Sequence, residues 1–338
     1  MIIGRTDLGR HVYVVAEIGG NHNGDSTVAL RLVEEAAGAG ADAVKFQTYD
    51  AGSLIHPNAA PMPMAGSAYR SQFERFKSLE LPPETYDRII DRCAGLGIDF
   101  LTTPFALDIL DAMAPRMPAI KIASGDLTFH QLIRAGAATG KPVLLSTGMS
   151  TLDEVAGAAA LVPAERLVLL HCVSLYPLPD EDANLLALKT MRARFPDVTL
   201  GYSDHTIGAE APIVAVALGA RVIEKHFTLD SNQRPGDHPL SLDPVGMAGL
   251  VTSIRRIERM LGNGQKIPAP GEDAMRRRMR RGLYAARDLD AGHRIAETDI
   301  KIIRPEGPLS PADAPHLSGR RLRRRIAAFE ALTPEAIE

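Results

Sequence analysis

Cysteine is scarce: Cys93 and Cys172 are the only two in 338 residues. Neither falls in a metal-type spacing, which excludes a cysteine-built metal site, and each is expected to be a reduced core thiol. Charge of one sign is lacking too. The net charge of −3 excludes a polycation seeking nucleic acid. Long hydrophobic runs are missing. The nearest approach to a membrane span, 213–223, is too short and contains Gly219 and Arg221. The opening MIIGRTDLGRHVYVVAE has no cationic start followed by an apolar stretch and a small-residue cleavage site, so a cytoplasmic location is expected. There is no low-complexity segment.

What the chain does contain is an alternation. Apolar runs at 12–16, 43–46, 98–102, 119–122, 143–145, 167–170, 198–200 and 222–223 are separated by helical patterns such as 28–37, 83–96, 128–138 and 212–218. Short apolar strands alternating with helices indicate a parallel sheet covered by helices. Repeated over about 260 residues, they match an α/β fold of the (β/α)8 TIM-barrel type. A doubly wound open sheet is the alternative. Its marker is a glycine-rich turn after the first strand with an acid about 20 residues on, and IGGNHNG at 18–24 has its glycines in another spacing. The stretch 262–275 is rich in Gly and Pro without periodicity and reads as a linker. The expected division is a barrel over 1–262, a linker over 263–276 and a small β-rich module over 277–338.

In such a barrel the C-terminal strand ends form the active site. Here they carry Glu17, Lys45, Gln47, Lys121, Ser124, Ser146, His171, Ser203, His205, Glu224 and His226. Because side chains alternate along a strand, Lys45 shares a face with Gln47, Ser203 with His205 and Glu224 with His226, while Lys225 points the other way. Lys45 and Lys121 lie inside apolar runs, and a buried lysine needs an anionic partner. That partner is either an internal acid, Glu17 or Glu224, or a small multiply charged anion. Ser124, Ser146 and Ser203, with the amides of the Gly125 and Gly148 turns, would donate to phosphate or carboxylate oxygens.

His205 and His226, at the ends of consecutive strands, read either as packed core histidines or as two ligands of one ion. Glu17 and Asp237 are available as further ligands, and open coordination positions would suit a catalytic site. Mixed N/O ligation suits Mn²⁺, Zn²⁺ or Fe²⁺. His171 is expected to pack rather than ligate, and His22 to sit on a loop. Residues 48–81 show no clear periodicity and suggest a lid or substrate loop, with a disordered insertion as the bland alternative. The basic runs 275–281 and 319–325 read as solvated faces, nucleic-acid patches or anion captors at a subunit interface. The acidic net charge and the lack of interleaved aromatics weigh against nucleic acid.

The ordered blocks AEIGGNHNGD (16–25), ADAVKFQT (41–48), FLTTPF (100–105), KIASGDL (121–127), LLSTGMST (144–151), LHCVSLYPLP (170–179), GYSDHTIG (201–208), VIEKHFTLD (222–230) and PGDHPLSLDP (235–244) resemble the sialic acid synthase family of nonulosonic acid synthases. The tail RRGLYAARDLDAG (280–292) resembles the antifreeze-like, or SAF, module.

The resemblance implies condensation of phosphoenolpyruvate with an N-acetylmannosamine-type sugar aldehyde and water, giving a nine-carbon 2-keto-3-deoxy acid and phosphate. A diacetamido-trideoxy hexose, as in legionaminic acid synthases, is the alternative sugar. It further implies that Lys45, Lys121, Ser124, Ser146, Ser203 and Arg280 hold phosphoenolpyruvate. His205 and His226 would bind a divalent ion, Mn²⁺ first and Mg²⁺ or Co²⁺ otherwise. Glu17 would face the developing cation, and Tyr176, Glu224, Asp237 and Arg304 would bind the sugar. Arg280 and Arg304 would act on a neighbouring subunit in a domain-swapped homodimer. Ser174, Ala106 and the 61–73 stretch depart from the family pattern, all on the sugar side. A Schiff-base aldolase using Lys45 or Lys121, and a non-catalytic sugar- or ice-binding protein, are the competing classes.

Overall fold

Eight short strands build the first of two units in the computed structural model, which describes residues 1–61 and 69–338. They are Tyr13–Glu17 (β1), Ala43–Thr48 (β2), Asp99–Pro104 (β3), Ile120–Ile122 (β4), Val143–Ser146 (β5), Leu167–Cys172 (β6), Thr199–Asp204 (β7) and Val222–His226 (β8). All pair in parallel, in the order β3-β2-β1-β8-β7-β6-β5-β4. The first strand pairs with the last, so the sheet is a barrel closed but for the β3–β4 seam. Strand residues such as Val14, Val44, Leu145, Leu169 and Ile223 are fully buried. That two-sided burial is why the strands read as continuous apolar runs rather than as alternations.

The barrel's helices are Ser26–Gly38 (α1), Ala51–Leu54 (α2), Gln72–Ser78 (α3), Pro83–Leu96 (α4), Leu107–Met113 (α5), His130–Ala138 (α6), Leu152–Ala159 (α7), Ala187–Arg194 (α8), Glu210–Ala217 (α9) and Pro244–Leu261 (α10). Helix α1 shows the local logic. Asp25 caps its first turn by accepting from the Thr27 and Val28 amides, and Ala29, Leu32, Val33 and Ala36 form one buried stripe at helical spacing. In α7, Thr151 and Glu154 make a reciprocal capping box.

The strand expected at 222–223 is longer than its apolar run, because Glu224, Lys225 and His226 continue it and are all buried. Residues 48–81 are less irregular than their sequence: α2 and α3 occupy part of them, and 62–68 lie outside the described residues.

The chain divides into Met1–Gly262 and Asn263–Glu338. In the second unit Gly282–Ala285 (β9) pairs antiparallel with Ile300–Ile303 (β10). Leu283, Leu289, Ile295, Leu322, Ile326 and Leu332 form its core. Helix Glu272–Met279 (α11) covers the end of the stretch read as a linker. Within this unit the basic runs are partly paired: Arg280 with Glu306 at 3.6 Å, Arg324 with Glu330 at 2.7 Å and Arg325 with Asp288 at 3.0 Å. No helix among the described residues is long and apolar enough to cross a membrane.

Candidate active site

Strand register assembles the site. Glu17 is the partner of Lys45 on one side and of His226 on the other, and Glu224 is the partner of Ser203. At the C-terminal ends these side chains crowd together almost free of solvent. Glu17, Lys45, Lys121, Ser146, Ser203, His205, Glu224 and His226 are all buried.

Lys45 Nζ lies 2.6 Å from Glu17 Oε2 and 3.8 Å from Glu224 Oε1, and donates to Thr103 Oγ1 at 3.1 Å. Lys121 Nζ donates to Ser146 Oγ at 2.8 Å and to the Ile122 carbonyl at 2.9 Å, 3.9 Å from Glu224 Oε1. Both lysines thus have internal acid partners, the alternative left open by the sequence, and those partners are shared. Gln47 donates to Glu17 Oε1 at 3.0 Å, and Ser203 donates to Glu224 Oε1 at 3.1 Å.

The two carboxylates titrate apart. Burial, with Glu224 adding and Lys45 opposing, pushes Glu17 up to about 7. Burial also raises Glu224, but Lys121 and Lys45 outweigh it and hold Glu224 below the usual carboxylate value. Two acids with separated affinities are the mark of divided acid and base roles. Burial lowers Lys121. Lys45 is raised because Glu17 and Glu224 outweigh the burial.

The β5 turn builds a donor cradle. The Gly148 amide donates to Ser124 Oγ at 3.0 Å, and a Cβ on Gly148 would lie 2.4 Å from Ser174 Oγ and 2.9 Å from Ser124 Oγ. A side chain there would force one of the two serine hydroxyls aside.

His205 and His226 face each other with ring centroids 5.3 Å apart, and Tyr176 stacks on His205 at 4.0 Å. His205 Nδ1 donates to the Val173 carbonyl at 2.7 Å, which leaves Nε2 as the nitrogen that could ligate. His226 Nδ1 is buried without a hydrogen-bond partner. Burial and the neighbouring His205 hold His226 well below the ordinary imidazole value, so it stays neutral. Burial opposes protonation of His205, but Cys172, 4.0 Å from its Nδ1, and the Val173 carbonyl raise it overall. Among the described residues no group of three or more His, Cys, Asp or Glu is arranged to hold an ion. Two facing imidazoles, one of them held neutral with an orphaned buried nitrogen, still fit a divalent ion with positions left over for water and substrate. They would hold it, and it would supply Lewis-acid polarisation of a carbonyl.

Asp237 is mostly buried and lies 3.9 Å from Arg75, on α3. Arg75 and Asp126 were not singled out in the sequence. Asp126 has a buried unpaired Oδ2 and is pushed up to about 6 by burial, with Lys121 opposing. Arg75 sits in the aperiodic segment, and Asp126 ends a 3₁₀ turn, Ser124–Asp126, too short to carry a pattern. His171 packs on Tyr202 and bonds the Ala183 carbonyl at 2.9 Å. His22 is buried on Phe46 and accepts from the Gly24 amide. Arg280 and Arg304 belong to the second unit, Arg304 directly after β10.

A parallel barrel whose strand ends gather lysines, separated carboxylates and paired imidazoles is an enzyme's active-site architecture. The NeuB family model matches residues 32–266, and the SAF domain model matches residues 280–338. The chain belongs to the NeuB family of sialic-acid-synthase-type enzymes and carries a SAF domain. It is 45% identical over 303 residues to an uncharacterized protein of Methanocaldococcus jannaschii, spanning 88% of this chain and 86% of that one. It is 38% identical over 339 residues to the N,N'-diacetyllegionaminic acid synthase of Legionella pneumophila, spanning 96% and 94%. The crystal structure of an N-acetylneuraminic acid (sialic acid) synthetase from Leptospira borgpetersenii, in complex with citrate, superposes with a TM-score of 0.70 at 34% identity. That match covers 78% of this chain and 90% of that one.

Proposed function

We propose that the chain condenses phosphoenolpyruvate with the open-chain aldehyde of an acylamino sugar. C3 of the enol attacks the aldehyde carbon, and the enol's electron pair forms the new bond. The aldehyde oxygen takes a proton, water adds at the positive C2 and gives up a proton, and the C2–O bond to phosphate then breaks to leave a 2-keto acid and inorganic phosphate. The observation that carries this reading is the shared cluster in which Lys45 and Lys121 flank Glu224, with Glu17 beyond Lys45.

In this cluster the two lysines, Ser146 and the Ser124–Gly148 cradle receive the phosphate and carboxylate of phosphoenolpyruvate. Glu17 faces C2, where a fixed negative charge stabilises the developing cation and its carboxylate can direct the attacking water. Tyr176, Glu224 and Asp237 bind the sugar, with His205 and His226 beside its aldehyde. The SAF domain supplies Arg304 to the sugar and Arg280 to the phosphate of a partner's barrel in a homodimer.

For the sugar, the N-acetylmannosamine type is the first reading. The likeness to the Legionella pneumophila synthase favours a 2,4-diacetamido-2,4,6-trideoxy hexose as the second. Ser174 and Ala106, both departures on the sugar side, point the same way.

The test is phosphate release from phosphoenolpyruvate with Mn²⁺, measured against N-acetylmannosamine, its 6-phosphate and the 2,4-diacetamido-2,4,6-trideoxy mannose and altrose sugars. Release with one sugar, abolished by EDTA, is expected. No release with any of them would remove the reading.

A further inference from the structure

Directly behind the two histidines, on the outward face of the same strands, lies a second ion pair with no solvent contact. Lys225 and Asp204 are register partners on β8 and β7, and each immediately precedes one of the histidines. Their side chains are 0% exposed, with Lys225 Nζ 2.6 Å from Asp204 Oδ2. Lys225 Nζ also donates to the Thr206 carbonyl at 2.5 Å. One ammonium therefore grips the chain on both sides of His205.

The carboxylate completes the clasp. Asp204 Oδ1 accepts from Tyr202 Oη at 2.9 Å, from the Thr206 amide at 3.0 Å and from Thr206 Oγ1 at 2.9 Å. The turn carrying His205 is thus tied to the strand carrying His226 through groups that never reach the pocket. A buried charge pair is rarely the most stable filling for such a site, and hydrophobic side chains of like volume often do as well. What this pair does that they would not is fix the stagger of two strand ends.

We propose that Lys225 and Asp204 are positioning residues that set the spacing of His205 and His226 for a shared divalent ion. The inference rests on the metal reading of those histidines. A loss of this support weakens metal binding by about 10–100-fold in comparable outer-shell networks.

The test measures Mn²⁺ and phosphoenolpyruvate binding by calorimetry on the full chain carrying Asp204→Asn with Lys225→Met, a neutral pair of similar size. Asp42→Asn with Arg255→Met serves as a control. It removes another ion pair, at 2.6 Å, beside the N-terminal end of β2. The expected result is Mn²⁺ bound at least about tenfold more weakly by the Asp204/Lys225 variant. Phosphoenolpyruvate affinity should stay within about twofold, and the control should keep its Mn²⁺ affinity.

Should that double variant fail to fold, Thr206→Val removes one hydroxyl from the clasp, and Mn²⁺ binding at least about threefold weaker is expected. Unchanged Mn²⁺ affinity in a folded variant overturns the proposal, as does equal weakening of both ligands or an equal effect in the control. An unsubstituted protein that binds no Mn²⁺ overturns the metal reading itself, and the proposal with it. That failure is distinct from wild-type binding that the variants leave unmoved.

Discussion

Lys45 stands between Glu17 and Glu224, 2.6 Å from the first and 3.8 Å from the second. Glu224 has Lys121 and Ser203 as further partners, whereas among the described residues Glu17 has Gln47 alone. The better-served acid stays ionised and the other holds its proton to about 7. If ionised Glu17 faces the cation, kcat/KM rises as pH climbs through about 7 and then levels. Glu17→Gln should lower kcat by about 10²–10⁴-fold and erase that limb. A pH–rate series on both proteins checks it, and an unchanged limb in the variant assigns the titration elsewhere.

Lys121 distinguishes two enzyme classes. Its amine is engaged by Ser146 and by the Ile122 carbonyl, as suits anion binding, while its lowered affinity for protons is what a Schiff-base nucleophile needs. Lys121→Met leaves Glu224 paired with Lys45, so the fold should survive. The KM for phosphoenolpyruvate should rise about 10–100-fold, the worth of a charged hydrogen bond. Borohydride treatment with pyruvate should give no mass adduct. A reduced adduct on Lys121 would move the chain to the aldolase class.

The Gly148 turn makes a steric prediction. A methyl group there meets Ser174 Oγ at 2.4 Å and Ser124 Oγ at 2.9 Å. Gly148 is buried, and Gly148→Ala should displace Ser124 and raise the KM for phosphoenolpyruvate about tenfold. Adding Ser174→Gly removes the nearer clash and should restore part of the affinity. Kinetics of the single and double variants decide it, and a Gly148→Ala KM equal to that of wild type would mean the cradle does not touch the substrate.

Metal dependence is checked through His205. Since burial keeps His226 neutral while Cys172 and the Val173 carbonyl raise His205, an arriving ion must displace a proton from His205 alone. Mn²⁺ affinity should therefore fall as pH drops, and Mn²⁺ should raise the wild-type Tm. His205→Ala should keep the fold, lose turnover and show no Mn²⁺-dependent Tm shift. Full activity in metal-free buffer would sink the metal reading.

How much of this was legible follows from where each signal lives. The barrel strands announce themselves because burial on both faces demands apolar runs. The histidines stand out because imidazole ends two such runs at matching places. Lys225 could be assigned to the opposite face by alternation, but its pairing with Asp204 could not be read, since pairing depends on strand register and register on the closed barrel. The strand at 222–226 reads short because Glu224, Lys225 and His226 look polar in sequence, and their burial rests on partners contributed by other strands. Helices α2 and α3 are of 4 and 7 residues, too short for an apolar stripe to repeat. Arg75, whose contact with Asp237 joins α3 to the site, was hidden with them.

Arg304 offers the sharpest test of the assembly proposed for the SAF domain. If it reaches the sugar in a partner's barrel, Arg304→Ala should raise the sugar KM and leave that for phosphoenolpyruvate near its wild-type value. The same effect would follow from an arginine folding back on its own barrel, so kinetics alone do not separate the two. Mixing does. Arg304→Ala chains retain Glu17, and Glu17→Gln chains retain Arg304. After unfolding and refolding together, half of the dimers are mixed, and each mixed dimer holds one site with both groups intact. Activity at low sugar should return to roughly a quarter of wild type, as random pairing in a two-fold dimer requires. Chains acting in isolation would show only the sum of the two deficient proteins, and that result would remove the swapped arrangement while leaving the barrel chemistry untouched.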